Sequence, residues 1–181
     1  MHDKLLEKYY FINSFDTNII NKQDKTTTFI YRDYKSAKLD TNKILKIKTF
    51  LKKRGNKFLL ANNFKIALKF KLDGVYLPSF NNKFDHLNYL TSSNFIILGS
   101  AHNLKEIKIK EHQKVQIIFI SSLFKKNNNF LGINKFKIIS KYSKKKVVAL
   151  GGISKKNIRK LRLLKVSGFA GISYFEQKKG P

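Results

Sequence analysis

The chain has no cysteine, no tryptophan, one methionine and two prolines in 181 residues, and only 11 side chains are acidic. Without cysteine there is no disulfide, no thiolate nucleophile and no cysteine metal site, which suits a reducing compartment. No apolar run approaches the roughly 18 residues that a membrane span needs. The opening stretch MHDKLLEKYYFINSF has no long apolar segment with a small-residue cleavage site. A cytoplasmic protein with no membrane partner is therefore expected. The shortage of carboxylates limits the places for a hard cation such as magnesium, which prefers carboxylate and water oxygens. Asp33 and Asp73 lie in or beside expected strands, and Asp73 opens its strand, at the wrong end for a site.

What is present in excess is base: 38 Lys and Arg give a formal net charge of +27. Arginine, the residue of bidentate base and phosphate contacts, occurs only as Arg32, Arg54, Arg159 and Arg162. The lysines are spread along the whole chain and form no binding arm. Lys, Asn, Ile and Phe abound together, as AT-rich coding produces. The charge thus reads as a solvated basic surface that attracts anionic ligands at long range, with nucleic acid bound only non-specifically. A hydrophobic content of 42% with 16 Phe is too apolar for a disordered basic tail. The length fits one domain, 1–181, with a sizeable core.

Short apolar runs alternate with longer amphipathic stretches. Strands are expected at 9–15, 27–34, 57–63, 73–79, 95–102, 115–124, 146–154 and 168–175. Helices are expected at 42–53, where Ile44, Leu45, Ile47, Phe50 and Leu51 fall at helical spacing, and at 64–71, 83–93, 103–113, 133–143 and 155–165. Eight βα units predict an α/β fold, a closed (β/α)8 TIM barrel. At 181 residues the barrel is compact, with the first helix (around 16–24) shortened and the last missing or truncated. That leaves a flank beside the eighth strand and allows for a homo-oligomer. An open doubly wound sheet would need fewer strands, and no GxGxxG is present.

VVALGGISKKNIRKL, residues 147–161, joins a strand to a helix through Gly151 and Gly152. Ser154 stands where a helix N-cap belongs. Such a turn can cradle a phosphate on backbone N–H groups, or it can be an ordinary tight βα turn. His102 can act as an acid or base, or it can cap the next helix and orient the loop. His86 and His112 fall on expected helices, where surface positions are the default. Tyr31, Tyr34 and Tyr76 can line an aromatic mouth for a flat ring, or pack in core and rim.

In a barrel the active site gathers at the C-terminal strand ends. Those ends read IYRDY, LLANN, DGVYLPS, LGSAHN, ISSLFKK, LGGIS and GISYF. The succession resembles the thiamine phosphate synthase / TenI-like thiazole tautomerase family from Tyr9 to Phe175, with VALGGIS followed by GFAGIS as the most specific part. The resemblance implies thiamine biosynthesis: a pyrimidine pyrophosphate joined to a thiazole phosphate, with pyrophosphate released and magnesium used.

The resemblance also implies roles. Gly151, Gly152, Ile172 and Ser173 match the segments that hold the thiazole phosphate. Arg32 is what remains of the second-strand basic pattern and, with Ser100 and His102, is a candidate catalytic residue. On the pyrophosphate side only remnants stand: Asn62 and Asn63 where the family has a metal-binding Asp and an Arg, and Lys125 and Lys126 after strand six. Asn81 occupies the place of the second metal-binding Asp, after strand four. Asn62 and Asn81 are neutral, weaker ligands, so the residues give no metal site of the family type. Near strand six the tautomerase histidine is replaced by Ser121-Ser122. The alternatives are a catalytically degenerate barrel that binds a phosphorylated small molecule, and a basic nucleic-acid-associated protein.

Overall fold

Short strands rich in Ile, Leu, Val and Phe recur because each is buried on both faces, the condition of a parallel sheet covered by helices. In the computed structural model, which describes residues 6–34 and 39–176, they are β1 (Glu7–Ile12), β2 (Thr28–Tyr31), β3 (Phe58–Ala61), β4 (Gly74–Leu77), β5 (Ile96–Ala101), β6 (Ile117–Ile120), β7 (Lys146–Leu150) and β8 (Gly168–Gly171). All neighbours are parallel, and β8 pairs back onto β1, which closes the barrel in chain order. The expected (β/α)8 barrel is the fold observed.

Strand alternation sorts the side chains into two cores. Tyr9, Phe11, Ile30, Leu59, Tyr76, Leu98, Phe119 and Val148 fill the barrel interior. Four of these are aromatic and contact one another, with Phe119 4.9 Å from Tyr9 and 5.5 Å from Tyr76 between ring centroids, and Phe11 5.1 Å from Tyr76. The alternate residues, such as Phe29, Tyr31, Phe58, Leu60 and Phe169, face the outer layer. Tyr31 therefore packs outside the barrel wall and does not line the mouth.

The outer layer holds α1 (Thr17–Asn21), α2 (Thr41–Arg54), α3 (Phe64–Lys69), α4 (Leu104–His112) and α5 (Gly132–Ser140). Side chains of Asp16, Asp40, Asn63 and Asn103 cap the first four of these at their N-termini. The first helix is short, as expected. The expected truncation of the last helix falls on residues 177–181, outside the described residues. No helix among the described residues is long and apolar enough to cross a membrane.

Two expected helices are corrected. Residues 155–165 yield a 3₁₀ segment, Ile158–Leu163. Ile158, Leu161 and Leu164 repeat every three residues, which suits the 3₁₀ period. Ser154 does not cap it; its own N–H donates to Asn157 Oδ1 at 2.9 Å, and its buried hydroxyl finds no partner among the described residues. Residues 83–93 yield one 3₁₀ turn, Asp85–Asn88. Phe84, Leu87, Tyr89 and Leu90 there are exposed, so no apolar stripe meets the barrel. His86 is the exception and corrects the surface expectation: it is buried, with Nε2 2.9 Å from Gln113 O.

Candidate active site

The C-terminal strand ends form one rim. On β2 the alternation that buries Ile30 brings Arg32 inward, and its guanidinium lies 4.9 Å from the Phe11 ring centroid and 5.9 Å from that of Tyr34. Tyr34 in turn meets Phe80 edge-on at 5.5 Å, and both are exposed. These two offer aromatic surface to a flat ring beside a fixed cation. Tyr34 is only about half exposed, and its partial burial holds the phenol up to about 12, against a lowering by Arg32.

Beneath the rim, Tyr76 is buried and its phenol is pushed well above the ordinary range by burial, partly offset by a hydrogen bond with Ser100. Ser100 is thus buried below the mouth, bonded to the aromatic core. His102 sits one alternation further along and reaches across to the end of β6. Its Nδ1 lies 2.9 Å from Ser121 O and 3.1 Å from Ser121 Oγ. A carbonyl only accepts, so Nδ1 donates and the neutral ring keeps its lone pair on Nε2. The imidazole thus reaches from the end of strand five to Ser121 at the end of strand six. Helix capping falls to its neighbours: Asn103 Oδ1 accepts from Glu106 N, and Glu106 accepts from the His102 N–H at 2.7 Å.

The double glycine lies at the end of β7. Gly151 has φ +101° and Gly152 φ +72°. A Cβ on Gly151 would stand 2.5 Å from Ser122 Oγ, and one on Gly152 2.5 Å from the Lys125 backbone nitrogen. Their close approach is therefore to the loop after β6, which is further tied by Leu123 N to Leu150 O and Phe124 N to Gly151 O. Asn157 Nδ2 holds Gly152 O at 2.8 Å. The N–H groups of Gly152, Ile172 and Ser173 donate to no acceptor among the described residues. All three residues are half-buried, so these N–H groups are donors at the ends of adjacent strands β7 and β8. Lys125 and Lys126 are exposed on the loop beside them.

Across the mouth, Asn62 has φ +57°, a region Asn tolerates, and its Oδ1 accepts from Asn81 Nδ2 at 2.7 Å. Asn63 is spent as the α3 cap, accepting from Ile66 N at 3.0 Å. The donor set is poor for magnesium: two neutral amides whose oxygens are both engaged, Asn62 Oδ1 by Asn81 Nδ2 and Asn81 Oδ1 by Lys83 N at 3.0 Å. Among the described residues no three His, Asp or Glu stand together for a metal. Asp73 faces the opposite barrel end, where Oδ2 accepts from Phe58 N at 2.8 Å. A cavity of about 600 Å³ also opens at that far end, lined by Glu7, Tyr9, Lys57 and Gln116 among others.

Sequence reasoning missed Lys110 and Gln113. Lys110 looked like one of many helical surface lysines, yet it is fully buried. Burial holds its ammonium at about 8, well below the ordinary lysine range. The one available signal was Gly99 on β5, whose missing side chain leaves room for the lysine stem; a Cβ there would be 2.8 Å from Lys110 Cδ.

Comparison with known proteins bears on this geometry. The family model for thiamine monophosphate synthase matches residues 17–175. A putative thiamine-phosphate synthase 2 from Aquifex aeolicus is 31% identical over 175 residues, covering 93% of this chain and 92% of that protein. A thiamine-phosphate synthase from Methanococcus vannielii is 29% identical over 120 residues, which span 64% of this chain and 58% of that relative's length. In fold, the thiamine phosphate pyrophosphorylase from Pyrococcus furiosus superposes with a TM-score of 0.70 at 24% identity, covering 92% of this chain and 86% of that one.

Proposed function

This chain belongs to the thiamine monophosphate synthase family, and we propose that it makes thiamine phosphate in the cytoplasm, joining a pyrimidine pyrophosphate to a thiazole phosphate. The observation that carries the reading is the set of N–H donors on Gly152, Ile172 and Ser173, at the ends of β7 and β8, that meet no acceptor among the described residues. Loops after strands seven and eight are a recurrent phosphate site of this fold, and oriented backbone N–H groups suit an anion.

Pyrophosphate leaves the pyrimidine carbon, and the thiazole takes its place. The departing charge must be met by positive groups. Magnesium, when a family member uses it, supplies that charge, but Asn62 and Asn81 do not fit it. The cations of this mouth are Arg32, held over Phe11, and Lys125 and Lys126 on the loop after β6. Arg32 gives a planar fork suited to phosphate oxygens. Tyr34 and Phe80 receive the flat ring. His102 Nε2 keeps a lone pair for a proton at the same rim.

The test is titration with thiazole phosphate. Ser173→Asp puts a carboxylate beside the phosphate donors without touching the glycine packing. Affinity should fall by about tenfold or more, the equivalent of about 1.4 kcal/mol. Unchanged affinity in a folded Ser173→Asp protein places the phosphate elsewhere.

A further inference from the structure

Asn81 is gripped from two sides. From the mouth, its Nδ2 donates to Asn62 Oδ1 at 2.7 Å. From the outer layer, Lys110 Nζ donates to Pro78 O at 2.8 Å, to Asn81 O at 2.7 Å and to Gln113 Oε1 at 2.9 Å. Those three acceptors take up the three donors of an ammonium. Gln113 Nε2 adds bonds to Asn81 O at 3.1 Å and Lys83 O at 2.7 Å. Lys110 and Gln113 are both fully buried, so these bonds are shielded from water.

A divalent cation shared by aspartates at positions 62 and 81 would tie the end of β3 to the loop after β4. In this chain both positions are amides bonded to each other, and the buried Lys110 ammonium sits behind the same loop. We propose that the buried Lys110 ammonium and the Asn62–Asn81 amide pair replace the divalent cation as the element that fixes this side of the mouth, so that the mouth is assembled without metal. Nζ gathers the backbone oxygens of Pro78 and Asn81 from behind the loop, where a cation would have gathered side-chain carboxylates from the mouth. Both amide oxygens already accept, Asn62 Oδ1 from Asn81 Nδ2 and Asn81 Oδ1 from Lys83 N at 3.0 Å, and a magnesium ion would have to give up water for neutral oxygens it binds weakly. The inference rests on the family reading of positions 62 and 81. It does not depend on turnover, so it can fail while the synthase reading stands, and the reverse.

The experiment is Mn²⁺ binding to the substrate-free full-length protein, followed by electron paramagnetic resonance, together with amide hydrogen exchange across residues 78–83. The wild type is expected to leave Mn²⁺ free up to about millimolar, while Asn62→Asp/Asn81→Asp binds at least about tenfold tighter, since carboxylate count sets affinity in such sites. Exchange at 78–83 should be unchanged by EDTA in the wild type and should rise about tenfold in Lys110→Met, as lost buried hydrogen bonds release the loop. Micromolar Mn²⁺ binding by the wild type that Asn62→Ala removes overturns the proposal. So does a folded double-Asp variant that gains no binding, or a wild-type loop that EDTA loosens. The wild-type measurements decide the matter even where a variant does not fold.

Discussion

At Gly152 the backbone has φ +72°, and the nearest atom to an added Cβ is the Lys125 nitrogen at 2.5 Å. Neither the conformation nor the neighbour can yield cheaply, because the second is main chain. Gly152→Ala should therefore destabilise the fold by about 1–3 kcal/mol through strain and overpacking, measurable as a lowered denaturant midpoint. An unchanged midpoint would mean that the loop after β6 moves freely from β7. The double glycine was visible in the sequence as a place of close approach, but the approaching partner was not. A ligand and a neighbouring loop demand the same residue, and only the contact with Ser122 and Lys125 separates them. Ser154 went the other way: its position favoured a cap, while Asn157 took over the local bonds.

Among the elements, strands were more legible than helices. A strand buried on both faces leaves a continuous apolar run, as in VVAL or IIFI, and needs no knowledge of its neighbours. The segments between strands depend on what they meet. Residues 83–93 carry apolar side chains yet form a single 3₁₀ turn, because Phe84, Leu87, Tyr89 and Leu90 are exposed, while Gln113 ties Lys83 O and His86 to the outer layer. Nothing in a run of alternating lysines marks the one that turns inward. Its titration gives a test. Burial lowers the Lys110 pKa to about 8, against a mild raising by Glu106, so the native state releases this proton before the unfolded chain does. Between about 8 and the ordinary lysine value of about 10.4, the unfolded state binds more protons. Wild-type stability should thus rise relative to Lys110→Met over that window, read from urea unfolding at pH 7.5 and 9.5. A difference that stays flat or shrinks would show that the carbonyl oxygens hold the proton more firmly than burial expels it.

On the scale of the whole molecule, the barrel and its charge act together. The closed sheet brings residues from β2 to β8 to one rim, although they are more than a hundred positions apart in the chain. The net charge of +27 surrounds that rim with a field that favours phosphorylated ligands at distance. The fold could be read from the strand ends, and with it the glycines and short polar residues that are proposed to hold the phosphate. The ties on the other side of the mouth could not, because they join residues far apart in the chain: the Asn62–Asn81 amide bond and a helix lysine behind the loop. The most direct measurement mixes the purified protein with the pyrimidine pyrophosphate and the thiazole phosphate, with EDTA in one arm and magnesium in the other. Thiamine phosphate forming in both arms, and less of it with Arg32→Met, is the predicted result. No product in either arm would contradict the proposed function.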